Sequence, residues 1–205
     1  MTQIYNFFMR QALFILTLII LPSFLFGKME VENFVNSEHE KIFSYIETSK
    51  VLLKNDKEKY LAGLEKAMEN LIAPEEISKR VLGKKIYTLA TKEQRAKFSI
   101  NFKTTLFDSY SSALTEIDKT NVLVDSHIHP NERLDLAIVK LKADVAGKQF
   151  DFIYKMKKIN KNWKVIGIII DGIDLISIFR KQFNKLLLEN NNDINFAINN
   201  WELEE

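Results

Sequence analysis

The sequence predicts an α+β fold in which helices pack on one face of a curved antiparallel sheet of about four strands. Apolar residues recur with a helical period up to residue 114, with a period of two between residues 122 and 170, and again with a helical period beyond residue 175. The links between the alternating segments are short, which is typical of antiparallel strands. Helices and strands that are grouped along the chain, instead of alternating, indicate the α+β class.

The composition is that of an ordinary globular protein. The chain has 205 residues, of which 46% are hydrophobic and 27% charged, so one domain can bury a sizeable core. The net charge of +2 provides no general argument for a nucleic-acid or acidic partner. Because the chain contains no cysteine, disulfides and thiolate chemistry are excluded. The low content of glycine and proline predicts few long loops.

The N-terminal segment has the form of a secretory signal peptide. Arg10 precedes an apolar run that begins at Ala12, and a proline and a serine follow that run, as in the charged, apolar and cleavage regions of a leader. We expect cleavage after Gly27, so that residues 1–27 form the signal peptide and residues 28–205 a single domain outside the cytoplasm. An uncleaved anchor is the alternative, although the run is short for a span of about 20 residues.

Several helix starts are predicted before residue 114. Ser37 and Thr91 each begin a capping-box pattern, and Asn55 begins a similar one. Pro74 stands where a first helical residue is favoured, and Gly83 is suited to ending that helix. The Thr91 helix is the longest, and its apolar stripe is unusually aromatic: Phe98, Phe102, Leu106, Tyr110 and Leu114. Core packing is the ordinary interpretation of such a stripe.

Strands follow from residue 122. The first runs from Val122 to near Pro130, and the second changes phase near Ile138, which predicts a β-bulge there. Residues 146–148 and 160–162 have the composition of short hairpin turns, and the third and fourth strands lie on either side of the latter.

The fourth strand leads directly into a helix. A β-branched run after Trp163 ends at Asp171-Gly172, where glycine permits a sharp turn. The helix that follows has Ile176, Phe179, Phe183 and Leu187 on one stripe. Such an elbow allows the sheet and the helix to face each other across an apolar space, which is either a filled core or a cavity. A last helix is expected to begin near Asn192-Asp193.

Candidate catalytic and metal-binding residues are few. His127 and His129 alternate as two metal ligands on one strand face would, but no third ligand has suitable spacing, and a surface loop is the favoured interpretation. Asp171 and Asp174 resemble part of a calcium loop, although helix capping explains both. No Gly-x-Ser-x-Gly motif occurs. Lysines interleave with aromatic residues between 150 and 164, and we interpret them as solvated side chains opposite a buried face. We therefore predict no catalytic residue, no metal and no cofactor.

Two segments together resemble a known family. Residues 81–98, VLGKKIYTLATKEQRAKF, are similar to a signature of the MlaC / toluene-tolerance (Ttg2-type) family, and residues 163–183 resemble a second one. Asp193-Ile194 and Trp201 are similar to its C-terminal helix, so the resemblance covers nearly the whole chain after the leader. Gly167 and Asp174 depart from the residues that this family often has at those positions, and the second departure bears on the polarity of the cavity mouth.

The resemblance implies a periplasmic phospholipid-binding shuttle and not an enzyme. Members of this family are auxiliary components of an ABC transport system that maintains outer-membrane lipid asymmetry. The expected partners are phospholipid, an outer-membrane lipoprotein complex, and an inner-membrane ABC permease with a lipid-binding substrate component. The alternatives are a small exported enzyme, such as a hydrolase, on a similar scaffold, and a tethered scaffold that binds other proteins through its helices.

The resemblance also implies that the apolar space is a lipid pocket. Its three expected walls are the Thr91 helix, the sheet, and the elbow with the helix that follows it. We expect Ile173, at the elbow, to be the most informative of its residues, with Ile173→Glu abolishing lipid loading. Arg80, Lys84 and Lys85 either meet a phosphate near the mouth or form a solvated helix face. The residues expected to bind lipid are Phe98, Phe102, Leu106, Tyr110, Leu136, Ile138, Phe150, Phe152, Tyr154, Val165, Ile169, Ile173, Ile176 and Phe179.

Overall fold

The computed structural model describes residues 22–203, and the side chains among them from residue 30 onward except for residues 118–121. The helices are α1 Pro22–Asn55, α2 Lys57–Met68, α3 Pro74–Leu89, α4 Lys92–Leu114, α5 Leu175–Glu189 and α6 Ile194–Asn200. The strands are β1 Ile117–Ile128, β2 Leu136–Val145, β3 Lys148–Ile159, β4 Asn162–Ile170 and β5 Ile173–Asp174. In this part of the chain, no helix is both long and apolar enough to span a bilayer.

The five strands form one sheet in sequence order, and every neighbouring pair is antiparallel. The α+β class and the antiparallel sheet are thus confirmed, and the additional strand is the two-residue β5. The turns at residues 146–147, 160–161 and 171–172 each link directly paired strand ends. All three turns have positive φ at both residues, the conformation that matches the twist of a two-residue hairpin.

The predicted bulge near Ile138 is wrong. Strand β2 pairs with β3 without a break from Leu136↔Lys157 to Val145↔Lys148. Its buried face consists of Ala137, Val139, Leu141 and Ala143. An irregularity instead lies in β4, where Val165 and Gly167 pair with adjacent residues of β3 and Ile166 lies between them as an extra residue. Because side chains alternate along a strand, this extra residue reverses which residues of β4 face the helices.

Helix α1 begins earlier than its capping-box pattern predicts. Ser37 lies in the interior of a helix that starts at Pro22, so the predicted start is wrong. The reason is burial: Val31 and Val35 are fully buried, and with Ile42 they form one helical face that packs on the sheet. The signal-peptide prediction falls largely on residues 1–21, which lie outside the described residues, and cleavage after Gly27 stays a prediction.

Other helix boundaries follow the predicted signals more closely. The Thr91 capping box is confirmed, since the Thr91 hydroxyl accepts from the Gln94 N–H and the Gln94 side chain accepts from the Thr91 N–H. The second helix is capped by Asp56, one residue beyond the predicted position. Gly83 has a φ of 70°, and it kinks α3 without ending it. Asp193 caps α6, as expected.

Two apolar clusters build the interior. One lies between α1, α2 and the buried face of the sheet, and it includes Trp163 and Val165. The other lies among α3, α4, α5 and α6. Residues of both clusters line a space between them, to which helix α4 also contributes.

Candidate functional site

An apolar cavity of about 390 Å³ lies where α4 and α5 face strands β3 and β4. Its volume is within the range of about 300–1,000 Å³ that is common for small-molecule sites. Tyr110 and Ala113 line it and remain exposed, so they mark the side on which it reaches the solvent. The full lining is Met68, Ile72, Pro74, Ile77, Phe102, Lys103, Leu106, Phe107, Tyr110, Ala113, Leu114, Ile117, Val145, Phe150, Phe152, Tyr154, Gly167, Ile168, Ile170, Leu175, Ile176 and Phe179.

Most of the residues predicted for the pocket lie in this lining. All three predicted walls are represented, because α4, the sheet and the helix after the elbow each contribute. The residues that the structure brings together are Phe102, Leu106, Tyr110, Phe150, Phe152, Tyr154, Ile176 and Phe179. The predicted residues that lie outside the lining are Phe98, Leu136, Ile138, Val165, Ile169 and Ile173.

Three of these six residues, Leu136, Ile138 and Ile169, lie on the face of the sheet opposite to the cavity. Leu136 and Ile138 alternate with the buried residues of β2, so they point away from the helices. Ile169 pairs with Ile153, and the cavity-lining Ile168 precedes it in the strand. Val165 and Ile169 are four residues apart and would share a face in a regular strand, but the extra residue between them separates their faces.

Phe98 and Val165 are core residues. The Phe98 ring is fully buried, with its centroid 5.0 Å from that of Phe183 and 5.8 Å from that of Trp201. The Val165 N–H donates to the Leu71 carbonyl at 2.7 Å, which places the link between α2 and α3 against β4 and covers the Val165 side chain.

Ile173 lies beside the cavity and is mostly exposed. The elbow is a two-residue hairpin turn with Asp171 and Gly172 at φ 47° and 81°, and the chain forms a short strand before it enters the helix. In that short strand, β5, Ile173 pairs with Ile170 of β4, and 54% of the surface of Ile173 is accessible. The expectation that Ile173 forms the pocket wall is therefore wrong, and Ile170 takes that position.

Several lining residues were missed by the sequence interpretation. Ile168 and Ile170 belong to the apolar run of β4, but their direction depends on the extra residue. Met68 is the last residue of α2 and Ile72 lies in the link between α2 and α3, and no sequence signal places that part of the chain beside α4. Phe107 lies off the stripe of α4, and it contacts the cavity because the helix is covered on more than one side.

The cavity wall contains little charge. Lys103 is the charged residue in the lining, and its ammonium group pairs with the Glu65 carboxylate of α2. The Tyr154 hydroxyl lies 3.2 Å from His39 Nε2. Burial raises the pKa of Tyr154 to about 12 and lowers the pKa of His39 to about 4, so both groups are neutral at neutral pH. A neutral wall favours an apolar ligand.

Asp174 connects the sheet to the helix wall of the cavity. One carboxylate oxygen accepts from the Ile176 N–H at 3.0 Å, and the other accepts from Lys155 Nζ at 2.8 Å. Burial by itself raises the pKa of Asp174, but the hydrogen bond and charge of Lys155 and the backbone N–H groups outweigh it and lower the pKa. The predicted capping role is thus confirmed for Asp174, whereas Asp171 lies in the turn.

The two segments that carried the family resemblance meet at Gly83. Arg180 donates from Nε to the Arg80 carbonyl at 3.0 Å, and it thereby satisfies a carbonyl at the kink of α3. Arg80, Lys84 and Lys85 are exposed and lie outside the cavity lining.

His127 and His129 form part of the sheet edge. His127 is buried, with Nδ1 2.5 Å from a Glu32 oxygen of α1, so the surface-loop interpretation is wrong for this residue. The His129 Nδ1 lies 2.8 Å from the Leu136 carbonyl. Within residues 30–203, leaving aside 118–121, no group of three or more potential ligands has metal-binding geometry.

Comparison with known proteins gives consistent results. A family model described as "MlaC protein" matches residues 36–202. The "Toluene tolerance protein ttg2D" of Pseudomonas putida is 24% identical over 193 residues, which cover 94% of this chain and 89% of that protein. A solved structure described as the phospholipid-binding protein from Ralstonia solanacearum in complex with a phospholipid superposes with a TM-score of 0.69 at 16% identity. The superposition covers 82% of this chain and 92% of that one, and it shows the shared fold.

Proposed function

The chain belongs to the MlaC family, and from this premise we propose that it is a periplasmic phospholipid-binding shuttle. The observation that carries the proposal is the apolar cavity of about 390 Å³ between α4, α5 and the sheet. Further support comes from the Ralstonia solanacearum protein of similar fold, which is described as being in complex with a phospholipid. We propose that one acyl chain of the lipid lies in the cavity and that the headgroup lies outside, near Tyr110 and Ala113.

The physical reason for such a carrier is the cost of exposing acyl chains to water. Each methylene buried in an apolar environment contributes about 0.8 kcal/mol, so a phospholipid does not leave a membrane at a useful rate without cover. An apolar cavity recovers this free energy for the carbons that it covers, and it thereby lowers the cost of moving the lipid between membrane and protein. A cavity of about 150 Å³ holds benzene, and on that scale 390 Å³ holds on the order of sixteen carbons, about one acyl chain.

The direct test is lipid analysis of the purified protein. The mature chain is expressed with export, purified without detergent, extracted and examined by mass spectrometry. We expect co-purified phospholipid in a stoichiometric amount. A folded protein that is free of lipid, and that takes up none from vesicles, would count against the carrier.

Two adjacent isoleucines of β4 provide a matched pair for mapping the site. Ile170→Glu places a carboxylate in the cavity, where a charge without a partner is strongly unfavourable, so we expect lipid loading to fall by more than about tenfold. Ile169→Glu makes the same change on the opposite face of the same strand, and we expect loading to be unchanged. Ile173→Glu is expected to load normally, because Ile173 is mostly exposed. Equal loading of the Ile170 and Ile169 variants, measured on folded protein, would show that the cavity is not the lipid site.

The same lipid analysis separates a carrier from an enzyme. A carrier releases intact phospholipid, whereas a hydrolase of the kind considered above leaves lysophospholipid and free fatty acid. We propose that the lipid is intact and that it is exchanged with an outer-membrane lipoprotein complex and an inner-membrane ABC permease. Transfer of labelled lipid between two vesicle populations, with each complex present in one of them, tests this exchange.

A further inference from the structure

A second, smaller cavity of about 70 Å³ adjoins the main one beneath α1. The two cavities share five lining residues, so these side chains form the wall between them: Met68, Leu114, Ile117, Phe152 and Tyr154. Beyond the wall, the smaller cavity is lined by residues of α1 and of the buried face of β2, among them His39, Leu141 and Ala143.

Tyr154 differs from the other members of this wall because its position is fixed by a polar contact. Its hydroxyl lies 3.2 Å from His39 Nε2, and its ring meets the His39 imidazole edge-on with the centroids 5.7 Å apart. The His39 ring also meets the Phe43 ring edge-on. The hydrogen bond joins β3 to α1, and turning the Tyr154 ring aside would leave a buried hydroxyl without a partner, which is unfavourable. The apolar members of the wall have no such constraint.

We propose that the Tyr154–His39 pair is a stop that sets the length of the acyl chain held in the main cavity. The smaller cavity is then an extension that the chain enters only when the stop is removed. On the scale of the cavity of about 150 Å³ that holds benzene, the extension of about 70 Å³ has room for about two to three further carbons. This inference rests on the proposed function, since it names the feature of the lipid that the cavity selects.

The test compares chain-length selection in the wild type and in variants. Delipidated full-length mature protein is incubated with vesicles that contain equal amounts of dimyristoyl, dipalmitoyl, distearoyl and diarachidoyl phosphatidylglycerol, and the bound lipid is identified by mass spectrometry. Tyr154→Ala should shift the bound distribution toward longer chains by at least about two to three carbons, because the volume of the removed ring adds to that of the extension. Ile153→Ala, on the opposite face of the same strand, should retain the distribution of the wild type.

A second substitution tests the extension itself. Ala143 lines only the smaller of the two cavities, so Ala143→Leu should fill the extension and leave selection in the wild type unchanged. In the Tyr154→Ala background it should return the bound chains to the wild-type length. If Tyr154→Ala does not fold, His39→Ala removes the hydrogen bond and opens the wall from the side of α1, with the same expected shift.

The outcomes separate this inference from the proposed function. Lipid-loaded variants with the chain lengths of the wild type would overturn the stop and leave the carrier intact. A shift that Ala143→Leu does not reverse would also overturn it, because the chain would then not be entering the smaller cavity. Absence of bound lipid from the wild type as well as from the variants would overturn both.

Discussion

One aromatic stripe runs along both halves of helix α4, but the first half lies in a filled core and the second half faces a cavity. In the first half, Phe98 is fully buried against Phe183 and Trp201. In the second half, Leu106 and Tyr110 continue the stripe at the same spacing and face an open cavity. Phe102 lies at the boundary, since its ring packs against Trp201 and also lines the cavity.

The difference between these halves comes from the elements opposite them. Helices α5 and α6 cover the first half, where the Phe98 ring packs against the rings of Phe183 in α5 and of Trp201 just after α6. The second half faces β3 and β4 across the cavity, and the extra residue in β4 precedes the lining residues Ile168 and Ile170. A bulge increases the local twist and bends the strand. The same stripe is therefore core at one end of the helix and cavity wall at the other.

The largest effect is expected from Phe98→Ala. Removing a fully buried ring from a filled core costs about 3–5 kcal/mol, from lost burial together with the cavity left behind. We expect this decrease in the free energy of unfolding by urea denaturation of lipid-free protein, and any folded variant should retain its lipid. A decrease below about 1 kcal/mol would mean that the first half of α4 is as loosely packed as the second.

A smaller effect is expected from Leu106→Ala. Its side chain borders space that is already empty, so the substitution loses contacts on one side without creating a new cavity, and about 1–2 kcal/mol is expected. The same denaturation series measures it. Lipid should be held less tightly, because the truncated wall contacts the chain less well. A loss as large as that of Phe98→Ala would remove the contrast between the two halves.

The smallest effect is expected from Asp174→Asn, which alters the start of the helix that faces both halves. Asparagine is also a good N-cap, so the loss at neutral pH is that of the partly exposed pair with Lys155, below about 1 kcal/mol. Because the pKa of Asp174 is lower in the folded state than its ordinary value of 3.8, its charge stabilises the protein above that value. This contribution is lost as the pH falls through the folded pKa. The difference between the wild type and the variant should therefore shrink below pH 3.8, as followed by urea denaturation at several pH values, and a constant difference would contradict it.

Local signals predicted the parts of the fold that depend on local chemistry. The Thr91 capping box, the hairpin turns at residues 146–147 and 160–161 and the helix start at Asp193 each need only a few neighbouring residues, and each is confirmed. Ser37 shows the limit of such signals. It has an equally good pattern, but the helix continues through it because residues upstream are buried on the sheet.

The lining of the cavity was predicted where it depends on a local pattern and was missed where it depends on distant contacts. On α4 the stripe continues without interruption, so Phe102, Leu106 and Tyr110 were identified correctly as members of one face, and the structure places that face on the cavity. On β4 the face of every residue after Val165 depends on one extra residue. A run of similar isoleucines gives no sign of where that residue lies, so Ile169 was chosen and Ile168 and Ile170 were missed. Ile173 was chosen because a turn leading directly into the helix was predicted there, whereas a hairpin and the short strand β5 follow.

The sequence by itself determined the class of fold, the order of its helices and strands, and the apolar stripes that must be buried, because periodicity and turn chemistry act over short distances. Only the tertiary structure decided which stretch of the α4 stripe is packed and which is open, since that depends on which elements lie opposite each half of the helix. It also decided that Tyr154 and His39, 115 residues apart, meet between two cavities. Such a contact is set by the approach of α1 to β3, which no local pattern encodes.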